Sequence, residues 1–378
     1  MRRIAIYCQH LLGVGHLTRV LNISEFLAPW AEVHLIQGGP EAGKTLIHKN
    51  FHHHKLPPLL MHEETKEMYD PSGKHTTEEV LEARKHIIEK IVQDPFDALL
   101  VELFPFGRNK LKTEILGLIE KTRLKSGKIP VFCSVRDIIV KKKDRHERDQ
   151  KIVHLLNQFF DLVFVHSDQR IIRFEESFTA YGKISSKVHY TGFIGPKIFK
   201  TAVQRDPKRV VISQGGSDVG LPLLIQSIPA AAEFPEFQFH VVVGSRTEKS
   251  KKEEIENLAS RYPNVRVHEF MGAFPEFLAG SALSISMGGY NTLMELVQTA
   301  TPALIYPYGA DEEQRVRAER FEKKGLVHLI GDEHLKSKEI VKRIKEVLAL
   351  TYPPVDVNLN GAEATALLMK EFIETRDI

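Results

Sequence analysis

The run SISMGGYNTLMELVQTATPALIYPYGADEEQRVRAERFEKKGL, residues 284–326, decides the fold. A strand expected at 282–286 leads into Gly288 and Gly289, and a helical segment follows. A second apolar strand at 303–306 leads, through a polar turn, to another helix beginning near Glu313 and Gln314. Strand, glycine turn and helix in repetition predict a parallel sheet whose ligands bind outside the carboxyl ends of its strands. Asn291 and Thr292 stand where they can cap the first helix. Thr292 and Glu295 are three residues apart and so share a helical face. A carboxylate there can accept two hydrogen bonds from a vicinal diol such as ribose.

The same alternation extends outward. Apolar runs at 3–8, 32–37, 98–102, 130–135 and 162–166, then at 209–213, 238–243, 264–268 and 326–330, read as buried strands. The pattern lapses near 192–208. The expected architecture is α/β, with two doubly wound Rossmann-like domains facing across a cleft: 1–196 and 207–360, with a final helix at 361–378 bracing the first.

Fifty-two Lys and Arg stand against 49 Asp and Glu, a net charge of +3 on 378 residues of which 42% are apolar. That balance is globular, and it argues against nucleic-acid binding through a basic stripe. Cys8 and Cys133 lie in apolar runs and read as buried reduced thiols. No apolar stretch reaches the roughly eighteen residues of a membrane span, so a cytoplasmic protein is expected. Charge runs at 141–149 and 248–254 read as solvated loops. The triple histidine at 52–54 is not expected to hold a metal, because neighbours on a regular element cannot all face one ion. LPPLLM at 56–61 reads as core, as the lip of a site for an oily acceptor, or as a membrane-contacting surface.

Three more loops could carry chemistry. GVGH at 13–16 offers Gly13 and Gly15 for close approach of a ligand, and His16 as a base or as a capping histidine. GGPEAGKT at 38–45 matches the P-loop pattern, with Lys44 and Thr45 in the phosphate and magnesium roles. Its competing reading is a glycine-rich strand-to-helix turn. SQGGSDVG at 213–220 places Gly215, Gly216 and Ser217 before a helix near Leu221, as an anion cradle or an ordinary turn.

On GGS at 215–217, MGGYNTLMEL at 287–296, EQ followed by RA at 313–318, and GVGH at 13–16, the chain resembles GT-B glycosyltransferases. The nearest likeness is the family that includes the transferase adding N-acetylglucosamine to the peptidoglycan lipid precursor. The resemblance implies that Gly215, Gly216 and Ser217 meet a diphosphate. Gly288, Gly289 and the amides through Tyr290 and Asn291 to Thr292 would hold the phosphates and donor sugar. Glu295 would grip ribose, and Gln314, with Glu313, the hydroxyls. Phe270 and Met271 would edge onto uracil, Arg246 would approach base or phosphate, and His16 would be the base. Two features depart from the family. GVGH is shorter than the G-G-T-G-G-H loop and looks as much like that of a GT-B nucleotide-sugar hydrolase. VELFPFGR at 101–108 has no counterpart, and its Arg108 could bind an acidic acceptor or pair with Glu102.

The expected reaction is an inverting, metal-independent transfer from a nucleotide-sugar, implied to be a UDP-sugar, to an acceptor hydroxyl. No Asp-x-Asp pair occurs, and amides and helix ends would carry the leaving charge. No cofactor is expected. The alternatives are a hydrolase using water, a P-loop nucleotidase, and a non-catalytic sugar-nucleotide-binding partner.

Overall fold

Strand β1 (Arg2–Gln9) shows why the first sheet is covered on both sides. Ile4, Ile6 and Cys8 enter one apolar cluster, while Ala5 and Tyr7 enter another. The structure, a computed structural model, describes residues 1–10, 15–40, 45–62, 65–139, 144–195, 203–215, 218–244, 247–269, 271, 274–309, 311–350 and 356–376. Two units divide it: Met1–Ile194 with Asn360–Ile378, and Gly195–Leu359.

After β1 the first unit runs through α1 (Gly15–Leu27), β2 (Ala31–Gly38), β3 (Phe51–Lys55), β4 (Leu60–Met61), β5 (Met68–Tyr69), α2 (Thr77–Ile91) and β6 (Ala98–Glu102). It continues with α3 (Lys112–Ser126), β7 (Val131–Arg136), α4 (Arg145–Phe159), β8 (Leu162–His166) and β9 (Val188–Tyr190). Its seven-stranded parallel sheet has the order β3-β2-β1-β6-β7-β8-β9. The order reverses between β1 and β6. Cys8 and Cys133 are buried free thiols on this sheet.

The second unit comprises β10 (Asp206–Ser213), α5 (Leu221–Ser227), β11 (Gln238–Val242), α6 (Lys249–Ala259), β12 (Val265–His268), α7 (Phe274–Ala279) and β13 (Ser281–Met287). It ends with α8 (Tyr290–Thr299), β14 (Ala303–Tyr306), α9 (Glu312–Lys323), β15 (His328–Leu329) and α10 (Ser337–Leu348). The six-stranded parallel sheet has the order β12-β11-β10-β13-β14-β15, so its reversal lies between β10 and β13.

The last helix, α11 (Gly361–Glu374), belongs to the first unit. Ala366, Met369 and Ile373 on it join Leu17, Val20 and Leu27 of α1 in one buried cluster. Full burial of a side chain the size of Met369 contributes roughly 1.5–3 kcal/mol. Gly361 N–H donates to Phe193 O at 3.0 Å, and Ile194 pairs with Asn360, so the chain leaves and re-enters this unit at adjacent points.

Three expectations are corrected. After the P-loop-like run, 45–48 is irregular and leads to strand β3, where either reading required a helix. Residues 41–44, Lys44 among them, lie outside the described residues, and among the described residues no helix follows the run. Gly38 and Gly39 have a packing reason instead: a Cβ at Gly38 would lie 2.0 Å from Gln9 Oε1, and one at Gly39 2.5 Å from His10 O. The two charge runs open helices α4 and α6, and Asp149 in the first run is fully buried, accepting hydrogen bonds from Thr179 N–H and Oγ1. Lastly, the residue capping α8 is Gly289, so Asn291 and Thr292 lie inside its first turn. Of the readings open for LPPLLM, core holds for Leu56 and Leu59, which are buried.

Candidate active site

Loops on either side of a strand-order reversal diverge, leaving a crevice at the carboxyl edge of the sheet. In the first unit His16 follows β1 in the first turn of α1, and Glu102 ends β6, the strand beside it. His16 Nδ1 lies 2.7 Å from Glu102 Oε1. Glu102 is fully buried, whereas the His16 side chain keeps 16% of its exposure. Arg19, one turn along α1, donates from Nη2 to the same oxygen at 3.0 Å. Burial resists ionisation of Glu102, but His16, Arg19 and Arg108 outweigh it and hold the carboxyl well below its ordinary range. Burial lowers the His16 pKa to about 3, with Glu102 opposing and Arg108 and Arg136 assisting. The ring is therefore neutral at neutral pH. Nδ1 also has Arg19 Nη2 at 3.1 Å, but its nearer partner is the carboxylate, which can only accept; that places the ring proton on Nδ1 and leaves a lone pair on Nε2. That is the protonation state of a general base held in place by an acid.

Arg108 takes a left-handed backbone (φ 63°) and donates from Nε to Gln9 O at 2.7 Å. It is thereby tied to the carboxyl end of β1. Ser134 is the register partner of Glu102 on β7; its Oγ and His166 Nε2 lie 2.7 Å apart, and His166 Nδ1 and Thr191 Oγ1 2.8 Å apart, all buried. Gly15 is the first residue of α1, and Gly13 lies outside the described residues.

In the second unit the turns after β10 and β13 flank the reversal. Gly215 has a left-handed φ of 75°. A Cβ at Gly244, after β11, would come 2.9 Å from Gly215 O and 3.0 Å from Gln214 Nε2, so these two turns touch without room for a side chain. Gln214, buried, donates to Thr247 Oγ1 at 2.6 Å. Gly288 and Gly289 differ. A Cβ at Gly288 would lie 3.2 Å from Pro307 Cα, whereas one at Gly289 meets only Thr292 Oγ1, at 3.9 Å. Helix α8 starts at Gly289 with no side-chain cap and no acidic residue in its first turn. A helix start of this kind presents amide donors and a positive dipole end to an anion. Thr292 and Glu295 are both half-buried on this helix.

The start of α9 is already occupied. Asp311 accepts from the N–H groups of Glu313 and Gln314 at 3.0 and 3.1 Å, and Gln314 Nε2 donates to Asp311 Oδ2 at 3.0 Å. Glu313 is buried against Arg317, with Nη2 to Oε1 at 2.9 Å, and that guanidinium lies over the Tyr290 ring, 5.1 Å from its centroid. Glu313 is thus paired within α9, Arg317 reaches Tyr290 of α8, and Gln314 remains the side chain at the helix start. Met271 is half-buried, while Gly216, Ser217, Arg246 and Phe270 lie outside the described residues. Sequence reasoning named Glu102 but not its bond to His16, and it passed over Asp311. A carboxylate closing the buried run ALLVE was the available signal for the first.

The glycosyltransferase family 28 C-terminal domain matches residues 210–352, the span containing both glycine turns. The UDP-N-acetylglucosamine--N-acetylmuramyl-(pentapeptide) pyrophosphoryl-undecaprenol N-acetylglucosamine transferase of Exiguobacterium sp. is 26% identical over 185 residues, 45% of this chain and 49% of the relative. The match thus spans about half the length of that relative. The crystal structure of Acinetobacter baumannii MurG superposes with a TM-score of 0.60 at 13% identity, covering 98% of this chain and all of the other. TcCGT1, solved in complex with UDP, gives a TM-score of 0.60 at 12% identity, covering 99% of each chain. Two Rossmann-like units with these neighbours have the GT-B fold, and the second unit carries the glycosyltransferase family 28 C-terminal domain. Residues 210–352 are thus similar to a sugar-transferase domain, and part of the chain is similar in sequence to the relative above.

Proposed function

We propose that the protein catalyses inverting transfer of a sugar from a UDP-sugar to an acceptor hydroxyl, with no metal ion in the chemical step. The observation that carries this is the buried Glu102 bonded to a neutral His16 at the strand-order reversal. His16 Nε2 takes the acceptor proton as the acceptor oxygen attacks the anomeric carbon, and the bond from that carbon to the diphosphate breaks on the opposite face. Glu102 offsets the charge of the imidazolium that forms. General-base assistance of this kind is typically worth 10²–10⁴ in rate.

The leaving diphosphate gains negative charge, for which the uncapped start of α8 and the turn at Gly215 are suited. One preorganised donor of this kind contributes about 3 kcal/mol to barrier lowering. Glu295 is assigned to ribose and Gln314 to hydroxyls of the donor, while Arg246, Phe270 and Met271 are assigned to the base side. The choice of UDP is supported by the UDP-bound structural neighbour and by the donor named for the relative above.

A thermal-shift screen of nucleotide sugars tests the donor. A UDP-sugar should raise Tm of the wild type and fail to do so with Glu295→Ala. A ligand at a hundred times its Kd adds about 2.7 kcal/mol, a readily measured shift. If no sugar nucleotide stabilises the wild type, the assignment is lost. UDP release that needs no added acceptor would instead identify a hydrolase.

A further inference from the structure

The run FHHHK forms edge strand β3, paired in parallel with β2. Alternation then separates the three histidines. His53 turns to one face, where its Nε2 meets Gln37 Oε1 at 2.7 Å. His52 and His54 turn to the other face and meet Glu32 and His34 of β2. His52 Nε2 lies 2.9 Å from Glu32 Oε1, and His34 Nε2 lies 3.3 Å from that same oxygen. The rings of His34 and His52 stack at 4.7 Å, and those of His34 and His54 at 5.2 Å. The ligand atoms of Glu32, His34 and His52 all fall within 4.8 Å of one another.

Two observations suit this group to a metal. The first is the setting of the His34 ring. Its Nε2 lies 3.3 Å from Glu32 Oε1 and 3.4 Å from Arg3 Nη2, so that nitrogen faces the shared position. The ring's Nδ1 lies 3.0 Å from His54 Nε2, in place for the outer hydrogen bond that a metal-ligating imidazole characteristically makes. Finally, Arg3 Nε lies 3.3 Å from Glu32 Oε2, which leaves Oε1 for the shared position. The positive charge of Arg3 opposes a dication, but it is offset in part by Asp94 at 3.7 Å. Phe96 closes the group on another side, edge-on to His34 at 5.2 Å.

We propose that Glu32, His34 and His52 bind a divalent transition metal, zinc, which clips edge strand β3 to β2, with His54 supporting His34 from outside. Two imidazoles and a carboxylate are a zinc donor set. The group occupies the amino half of β2, whereas His16 and Glu102 stand at the carboxyl edge of the sheet, so the ion is structural and takes no part in glycosyl transfer.

The test uses untagged full-length protein, stripped with a chelator, loaded with zinc chloride and dialysed before metal analysis. Wild type should retain about one zinc per chain, with Tm raised by zinc and unmoved by magnesium. His52→Ala should weaken retention at least about tenfold and abolish the zinc-dependent rise, since even loss of a supporting hydrogen-bond partner costs about 10–100-fold in such sites. Its zinc-free Tm should match that of zinc-free wild type, because His52 is 41% exposed and its loss leaves no cavity. His86→Ala, on the exposed face of α2, should behave as wild type. Wild type that retains no zinc, or His52→Ala that retains as much as wild type, overturns the proposal.

Discussion

His16 Nδ1 and Glu102 Oε1 lie 2.7 Å apart although 86 positions separate them in sequence. What joins them is the pairing of β1 with β6, which skips β2 to β5 and brings the start of α1 over the end of a strand made much later. Glu102→Gln keeps the shape but replaces the anion with a neutral amide. We expect kcat to fall by about 10²–10³ with donor Kd unchanged, and His16→Ala to fall by 10²–10⁴. Steady-state rates alongside donor titration separate the two effects. A weakened donor Kd in either variant would place the pair outside the chemistry.

Gly288 and Gly289 make a sharper test of where the phosphates go. Gly288→Ala presses a methyl group onto Pro307 backbone and should cost about 1–3 kcal/mol of stability. Gly289 has an extended backbone (φ −62°, ψ 148°) and open space, so Gly289→Ala should fold as wild type. If the diphosphate fills that space, donor affinity should still fall at least tenfold in Gly289→Ala. Chemical denaturation and calorimetric titration of both variants check this, and unchanged affinity in Gly289→Ala removes the phosphates from the start of α8.

Much of the sheet architecture was legible because its strands are buried on both faces and so read as continuous apolar runs: IAIYC, ALLVE, VFCSV, LVFVH, RVVIS and ALIY. Strand β3 was not. No residue of FHHHK is fully buried, and imidazoles stand on both of its faces, which no hydrophobic pattern registers. Glycine runs misled in the opposite direction. Gly38 and Gly39 imitate a phosphate loop, yet their lack of side chains serves contact with Gln9, Arg84 and His10. Glu313 looked like a ligand-facing acid because its helix starts in the right place, and only the pairing with Arg317 reveals what it does.

That pairing has a measurable cost when broken. Arg317 is 1% exposed and Glu313 Oε1 lies 2.9 Å away. Glu313→Ala removes this carboxylate from a buried guanidinium and should destabilise the fold by about 3–5 kcal/mol. Replacing both by apolar residues of similar size should recover most of that loss. Urea denaturation of the single and double variants decides it, and a single variant within about 0.5 kcal/mol of wild type would contradict the burial argument.

Acid should weaken the fold well before its carboxylates titrate. Burial first of all holds His16 down to about 3 and both His34 and His240 to about 4. In the unfolded chain each takes up its proton near pH 6.5. Stability from these groups is therefore complete above about 6.5 and is lost as pH falls from there toward 4. The urea midpoint should drop steadily across that window, and a flat midpoint would show that the three rings titrate normally.

Helix α11 comes last in the chain yet covers α1, made near the start. On the ribosome, the amino-terminal lobe must therefore wait with one apolar side uncovered until the entire middle segment has been synthesised, so it is the piece most in need of chaperone protection. The middle segment has no such debt, since its entry and exit meet at Ile194 and Asn360, and it can mature while the rest of the message is still being read.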